Sequence, residues 1–150
     1  MSAVLDSLEA AFREGLPAAR CERPDPGVHG GHLEVQVAPG EVVGATQILD
    51  RHGFAIDAIT GWTDRHGRLE GLCDFFHFTA WEHVAVRTRV PRDLPELPSI
   101  AGVYAGANWH ERETHEFFGI RFRGHPNLTP LLLPEDATYH PLRKDFSGVA

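Results

Sequence analysis

Prolines divide this chain more sharply than any other residue type. Seven of its eleven, Pro91, Pro95, Pro98, Pro126, Pro130, Pro134 and Pro141, fall in the last 60 of 150 residues. Each lacks a backbone N–H and locks φ near −65°, so long helices and central strands are excluded over most of that stretch. Regular structure is therefore expected mainly before Val90. The exception is the proline-free run from Ser99 to Phe118. There Ser99 is expected to cap a short turn, and Asn108 to cap a helix over Trp109–Phe118 that ends at Gly119.

Before Val90 the hydrophobic periodicity is legible. Val4, Leu5, Leu8, Ala11 and Phe12 share one helical face, and Gly15 and Pro17 stop the pattern, so residues 1–19 read as an N-terminal helix. Residues 20–31 hold two prolines and three glycines without periodicity and read as a linker. Leu33, Val35 and Val37 alternate with Glu34 and Gln36 as in a half-buried strand. A helix is expected over Glu41–Arg51, a strand over Phe54–Thr60, a turn at Asp64–Gly67, and two further strands over Leu69–Thr79 and Glu82–Val90. Val84, Val86, Thr88 and Val90 fall on one face of the last strand. The order predicts an α+β fold: a mainly antiparallel sheet with helices packed on one face, forming a core domain over 32–118, followed by an extended C-terminal arm over 119–150.

Charge and composition exclude whole classes of function. The formal net charge is −7, and nucleic-acid binding lacks the basic footprint it needs. The longest apolar runs, such as Leu131–Leu133, are far short of the roughly 20 residues that span a bilayer. No secretory signal is visible at Met1–Asp6, and Cys21 and Cys73 lack the CxxC spacing of a metal or iron–sulfur site. A reducing, cytoplasmic compartment is the expectation.

The run His110–Glu116 is polar at seven consecutive positions between Trp109 and Phe117–Phe118. It covers two helical turns, so it offers no apolar stripe. Either this helix is exposed, or some of its charges are buried and paired. Arg112 with Glu116 and Glu111 with His115 stand at i,i+4, where pairing is available. His110-Glu111 followed by His115 misses the zincin spacing by one residue, which puts the two histidines about 140° apart on the helix. No GxSxG, P-loop or strand-to-helix GxGxxG is present. The apolar run Leu72–Phe76 marks Cys73 as core. A stand-alone metal-dependent hydrolase using His110, Glu111 and His115 stays open on these residues.

Three ordered blocks are more specific. Glu111-Arg112-Glu113-Thr114-His115-Glu116-Phe117-Phe118-Gly119-Ile120, then Gly124-His125-Pro126-Asn127-Leu128, then Pro141-Leu142-Arg143-Lys144-Asp145-Phe146, resemble the signature of the C-subunit family of NADH-quinone oxidoreductase. Members of that family are peripheral-arm subunits of respiratory complex I, with relatives in membrane-bound [NiFe] hydrogenases. Two departures stand out: Thr129-Pro130 replace an arginine pair, and Glu116 occupies a position more often Asp.

The resemblance implies a non-catalytic scaffold that binds no cofactor itself, in a complex that couples electron transfer to ion translocation. NADH, flavin, iron–sulfur clusters and quinone then reside in partner subunits. The implied partners are the large subunit that forms the quinone cavity and the subunit that holds the terminal cluster. The implied location is peripheral, on the cytoplasmic side of the cell membrane, reached only through partners. Glu111, Arg112, Glu113 and Glu116 are implied as a structural charge network. Gly119, Gly124, Pro126, Pro141, Leu142 and Phe146 are implied as interface positions, and His125, Arg143, Lys144 and Asp145 as anchors of the arm to a neighbour. An accessory subunit of a [NiFe] hydrogenase complex is the alternative reading.

Overall fold

The computed structural model describes residues 2–149. Helix α1 (Ala3–Gly15) starts at Ser2, whose hydroxyl accepts the Leu5 N–H at 3.3 Å, and buries Leu5, Leu8 and Phe12 on the face their spacing predicts. The segment expected as a linker is more regular than its composition suggests. Arg20–Glu22 form strand β1, and Pro26–His29 form a single helical turn, α2, capped by the Asp25 carboxylate. Three residues are too few for periodicity to reveal, and β1 is held by its backbone pairing with the next strand.

Strand β2 (Leu33–Val37) buries Leu33, Val35 and Val37 in strict alternation. A 3-10 turn (Pro39–Glu41) then precedes helix α3 (Val42–Arg51), which buries Val42, Ala45, Ile48 and Leu49. Strand β3 (Phe54–Thr63) runs on through Trp62, and Asp57 sits in a bulge between the Ile56 and Ala58 pairings. The bulge shifts the side-chain phase, which is why the alternation in this stretch is only partial. Strands β4 (Leu69–His77) and β5 (Glu82–Arg89) complete the large sheet.

The strand order is β1-β2-β5-β4-β3. Three of its four pairings are antiparallel, and β2 runs parallel to β5. The fold is thus α+β with a mainly antiparallel sheet, as the order of elements implies. Beyond β5, strand β6 (Glu96–Pro98) pairs in parallel with β7 (Arg121–Arg123), and helix α4 (Ala107–Phe118) lies between them in sequence. The buried faces of α1, α3 and α4 meet one side of the sheet in a single core that includes Phe12, Leu33, Leu49, Phe75, Ile100 and Ile120. Ile120 and Phe122, in the stretch read as an arm, are buried in that core. The opposite side of the sheet carries a charge ladder, with Arg87 reaching Glu34 at 3.3 Å and Glu70 at 3.9 Å.

Candidate functional site

The three sequence blocks meet around α4. The helix begins at Ala107 after Gly106, so Asn108 lies inside it and does not serve as its cap. At the other end Gly119 adopts φ 75°, and its N–H bonds the His115 carbonyl. Glycine takes this left-handed closure without strain. A β-carbon there would also lie 2.8 Å from the His140 ring.

The polar helix is not an exposed one. Glu111, Thr114 and Glu116 are buried, Arg112 is half-buried, and Glu113 alone of the four charged residues faces solvent. Neither i,i+4 pair forms. The Glu111 carboxylate accepts the Ser99 hydroxyl at 2.6 Å and the Ile100 N–H at 2.7 Å. It thereby ties α4 to the segment after β6. Burial pushes this carboxyl above its usual range, while those two hydrogen bonds and the His125 ring act to hold it down. His125 lies 3.9 Å away, and its side chain is fully enclosed. Its Nδ1 accepts from the Asn127 N–H and its Nε2 donates to the Asn108 carbonyl at 3.0 Å. The Thr114 hydroxyl reaches the His110 carbonyl at 2.8 Å and the β3 carbonyl of Ile59 at 3.1 Å.

The arm lies back on the same helix. Arg112 donates to the Thr129 carbonyl at 2.9 Å, to the Thr129 hydroxyl at 3.2 Å and to the Pro130 carbonyl at 2.8 Å. Glu116 accepts the backbone N–H groups of Leu131 and Leu132. Further along, His140 Nδ1 donates to the Glu116 carbonyl at 2.8 Å, and the Leu142 N–H to the Phe117 carbonyl at 3.1 Å. Arg143 pairs with Asp145 at 3.1 Å, Lys144 stands 5.7 Å from the centre of the Trp62 ring, and Phe146 packs near Tyr139. Gly124 turns the chain with φ 83° just before the exposed Pro126, and Pro141 is half-buried.

The four charged residues of the first block are thus not paired with one another. Each buried one is held by backbone groups or a hydroxyl, because a carboxylate that must leave water needs donors, and the arm and the post-β6 segment supply them. Ser99, Thr129 and His140 were not legible as partners, since each acts across 12 or more residues. His110 and His115 diverge from Glu111, and His115 Nδ1 donates to the Ile120 carbonyl at 2.9 Å. Among the described residues no group of three or more His, Cys, Asp or Glu side chains is placed to hold a metal.

The family model "Respiratory-chain NADH dehydrogenase, 30 Kd subunit" matches residues 35–150. The chain belongs to this family. Relatives of the 30 Kd subunit kind include the C subunit of NADH-quinone oxidoreductase from Roseiflexus sp., 35% identical over 95% of this chain and 81% of that protein. The C subunit of F(420)H(2) dehydrogenase from Methanosarcina mazei is 48% identical over 49% of this chain, and the match spans about half (49%) of that relative's length. The same fold occurs in a chain of the membrane-bound sulfane sulfur reductase, an archaeal respiratory membrane complex, with a TM-score of 0.82, 24% identity, and coverage of 97% of this chain and 86% of that one.

Proposed function

We propose that this 30 Kd-family chain is a non-catalytic scaffold subunit of a complex I-like NADH:quinone oxidoreductase, docked on the large subunit that forms the quinone site and on the terminal-cluster subunit. The observation that carries the reading is the use of the signature residues. The buried acids of α4 spend their oxygens on Ser99, Ile100, Leu131 and Leu132, and so build a shaped surface in place of a reactive cleft. That surface exposes large apolar side chains, Trp109 at 69% and Leu132 at 64%, around a concavity that also contains His110 and Glu113. Exposed aromatic and aliphatic side chains gathered at one concavity suit a protein partner. NADH, flavin, clusters and quinone then belong to neighbouring subunits. The reading includes peripheral attachment through partners on the cytoplasmic side; no helix among the described residues is long and apolar enough to cross a membrane.

The test is affinity purification of the tagged chain from solubilised membranes, with mass spectrometry of what comes with it. Recovery with quinone-site and cluster-bearing subunits is expected. A lone chain at full yield overturns the reading, and so does stoichiometric zinc on the purified chain, which returns the hydrolase reading. A second reading keeps the scaffold and changes the donor: the 48% identity to an F(420)H(2) dehydrogenase component favours a complex that does not oxidise NADH. Co-purification of an NADH-oxidising flavoprotein separates the two, and a nickel-binding large subunit identifies the hydrogenase form.

A further inference from the structure

One groove departs from the acidic character of the molecule. The chain carries a net −7, yet a concavity of about 650 Å³ beside the β3–β4 turn is lined by Arg68, Arg89, Arg92, Arg143 and Lys144 against a single acid, Asp145. Its walls come from three places: the turn after β3, the proline-bounded segment Val90–Pro95, and the arm. Part of the charge is already met by neighbouring acids. Arg68 bonds Asp64 at 2.6 Å, Arg89 stands 3.9 Å from Glu70, and Arg143 takes Asp145. Among the described residues no carboxylate lies within ion-pair distance of Arg92 or Lys144, so the groove keeps an excess of positive charge.

We infer that this groove receives an acidic, partly apolar peptide segment of a neighbouring subunit. The inference rests on the scaffold reading and names the chemistry of one contact. Three observations select a peptide. The cations are spread over the groove and well hydrated, with the Arg68, Arg89 and Arg143 side chains 51%, 58% and 38% exposed, so a lone small anion engages only one or two of them in water. The acidic remainder of the molecule repels any polyanion that extends beyond the groove, such as a nucleic acid or an anionic bilayer; a segment whose charge is confined to it escapes that penalty. Finally, Leu69, Val90, Pro91 and Pro95 stand between the cations and offer contacts to apolar side chains flanking the carboxylates.

The test uses the full chain assembled in membranes. Arg92→Glu combined with Lys144→Glu is compared with Arg92→Lys combined with Lys144→Arg, and a photo-crosslinking benzoylphenylalanine replaces Arg92 in a third version. We expect the charge reversal to lower co-purification of the complex roughly tenfold with an unchanged melting temperature of the isolated chain, and the conservative pair to retain it. We expect the cross-link to map to a carboxylate-rich segment of another subunit. Retention of the reversed chain at wild-type yield overturns the inference, as does a cross-link to lipid, to a carboxylate-free segment or to this chain's own arm. If the reversed chain unfolds, the cross-link decides. Should the unaltered chain recover no partner, the scaffold reading falls and the groove inference with it. Should it recover partners while the reversed chain does so equally, only the groove inference falls.

Discussion

Glu111 shows what a buried acid does in this chain. It is fully enclosed, takes its hydrogen bonds from a hydroxyl and one backbone N–H, and has a carboxyl raised above its ordinary 4.5 by burial. The folded chain therefore holds this proton to higher pH than the unfolded chain does. Unfolding releases it, so the contribution of this group to stability is complete below about 4.5 and declines as pH rises through the folded value. In urea unfolding at a series of pH values, the advantage of the wild type over Glu111→Gln is expected to shrink on going from pH 4 to pH 7. A constant difference refutes the assignment. Asp64 works with the opposite sign: hydrogen bonds from the Arg68 and His66 backbone and from the Arg68 guanidinium hold this half-buried carboxylate down at about 2. Its contribution is lost only as pH falls toward that value, so it leaves the comparison above pH 4 undisturbed.

At the scale of elements, two contacts fix α4. The first is steric. A β-carbon at Gly61 on β3 would run into the Phe118 ring, so the strand can approach the helix only where it has no side chain. Gly61→Ala is expected to cost about 1–3 kcal/mol by overpacking. Combining it with Phe118→Leu is expected to cost less than the sum of the two single changes, because the smaller side chain vacates the space. Thermal or urea unfolding of the four proteins checks this, and strict additivity refutes it. The second contact is polar. Glu116 holds the arm by the Leu131 and Leu132 amides. Glu116→Ala is expected to abolish hydrogen-exchange protection at those two amides while β4 and β5 keep theirs. The helix itself was legible from its span and from Gly119, but its burial was not. A run polar at seven positions offers no stripe, and its donors lie in segments 11 to 16 residues away along the chain.

For the whole molecule, the core is complete before the arm is. Among the described residues every buried hydrophobic side chain lies at or before Phe122, and Leu128 is the last to pack against that core. Removing residues 130–150 is therefore expected to leave cooperative unfolding intact with a loss of a few degrees in melting temperature, while co-purification with the membrane complex disappears. Circular dichroism on heating reads the first outcome and affinity purification the second. A truncated chain that no longer folds cooperatively contradicts this division of labour between core and arm.

The strands and helices before Val90 could be read from residue order because their burial follows local periods. Leu33, Val35 and Val37, or Leu5, Leu8 and Phe12, need only their own element and a core to face. The family blocks could be read for the same reason, since a motif is a local object. Tertiary structure alone decided where β1 pairs, how β2 comes to run parallel to β5, and what satisfies Glu111 and Glu116. It also decided that Arg68, the Arg89–Arg92 stretch and Lys144, separated along an acidic sequence, share one groove. Hydrogen bonds and charges act across space at full strength whatever the chain separation, so their partners are set by the fold and leave no periodic trace in the sequence.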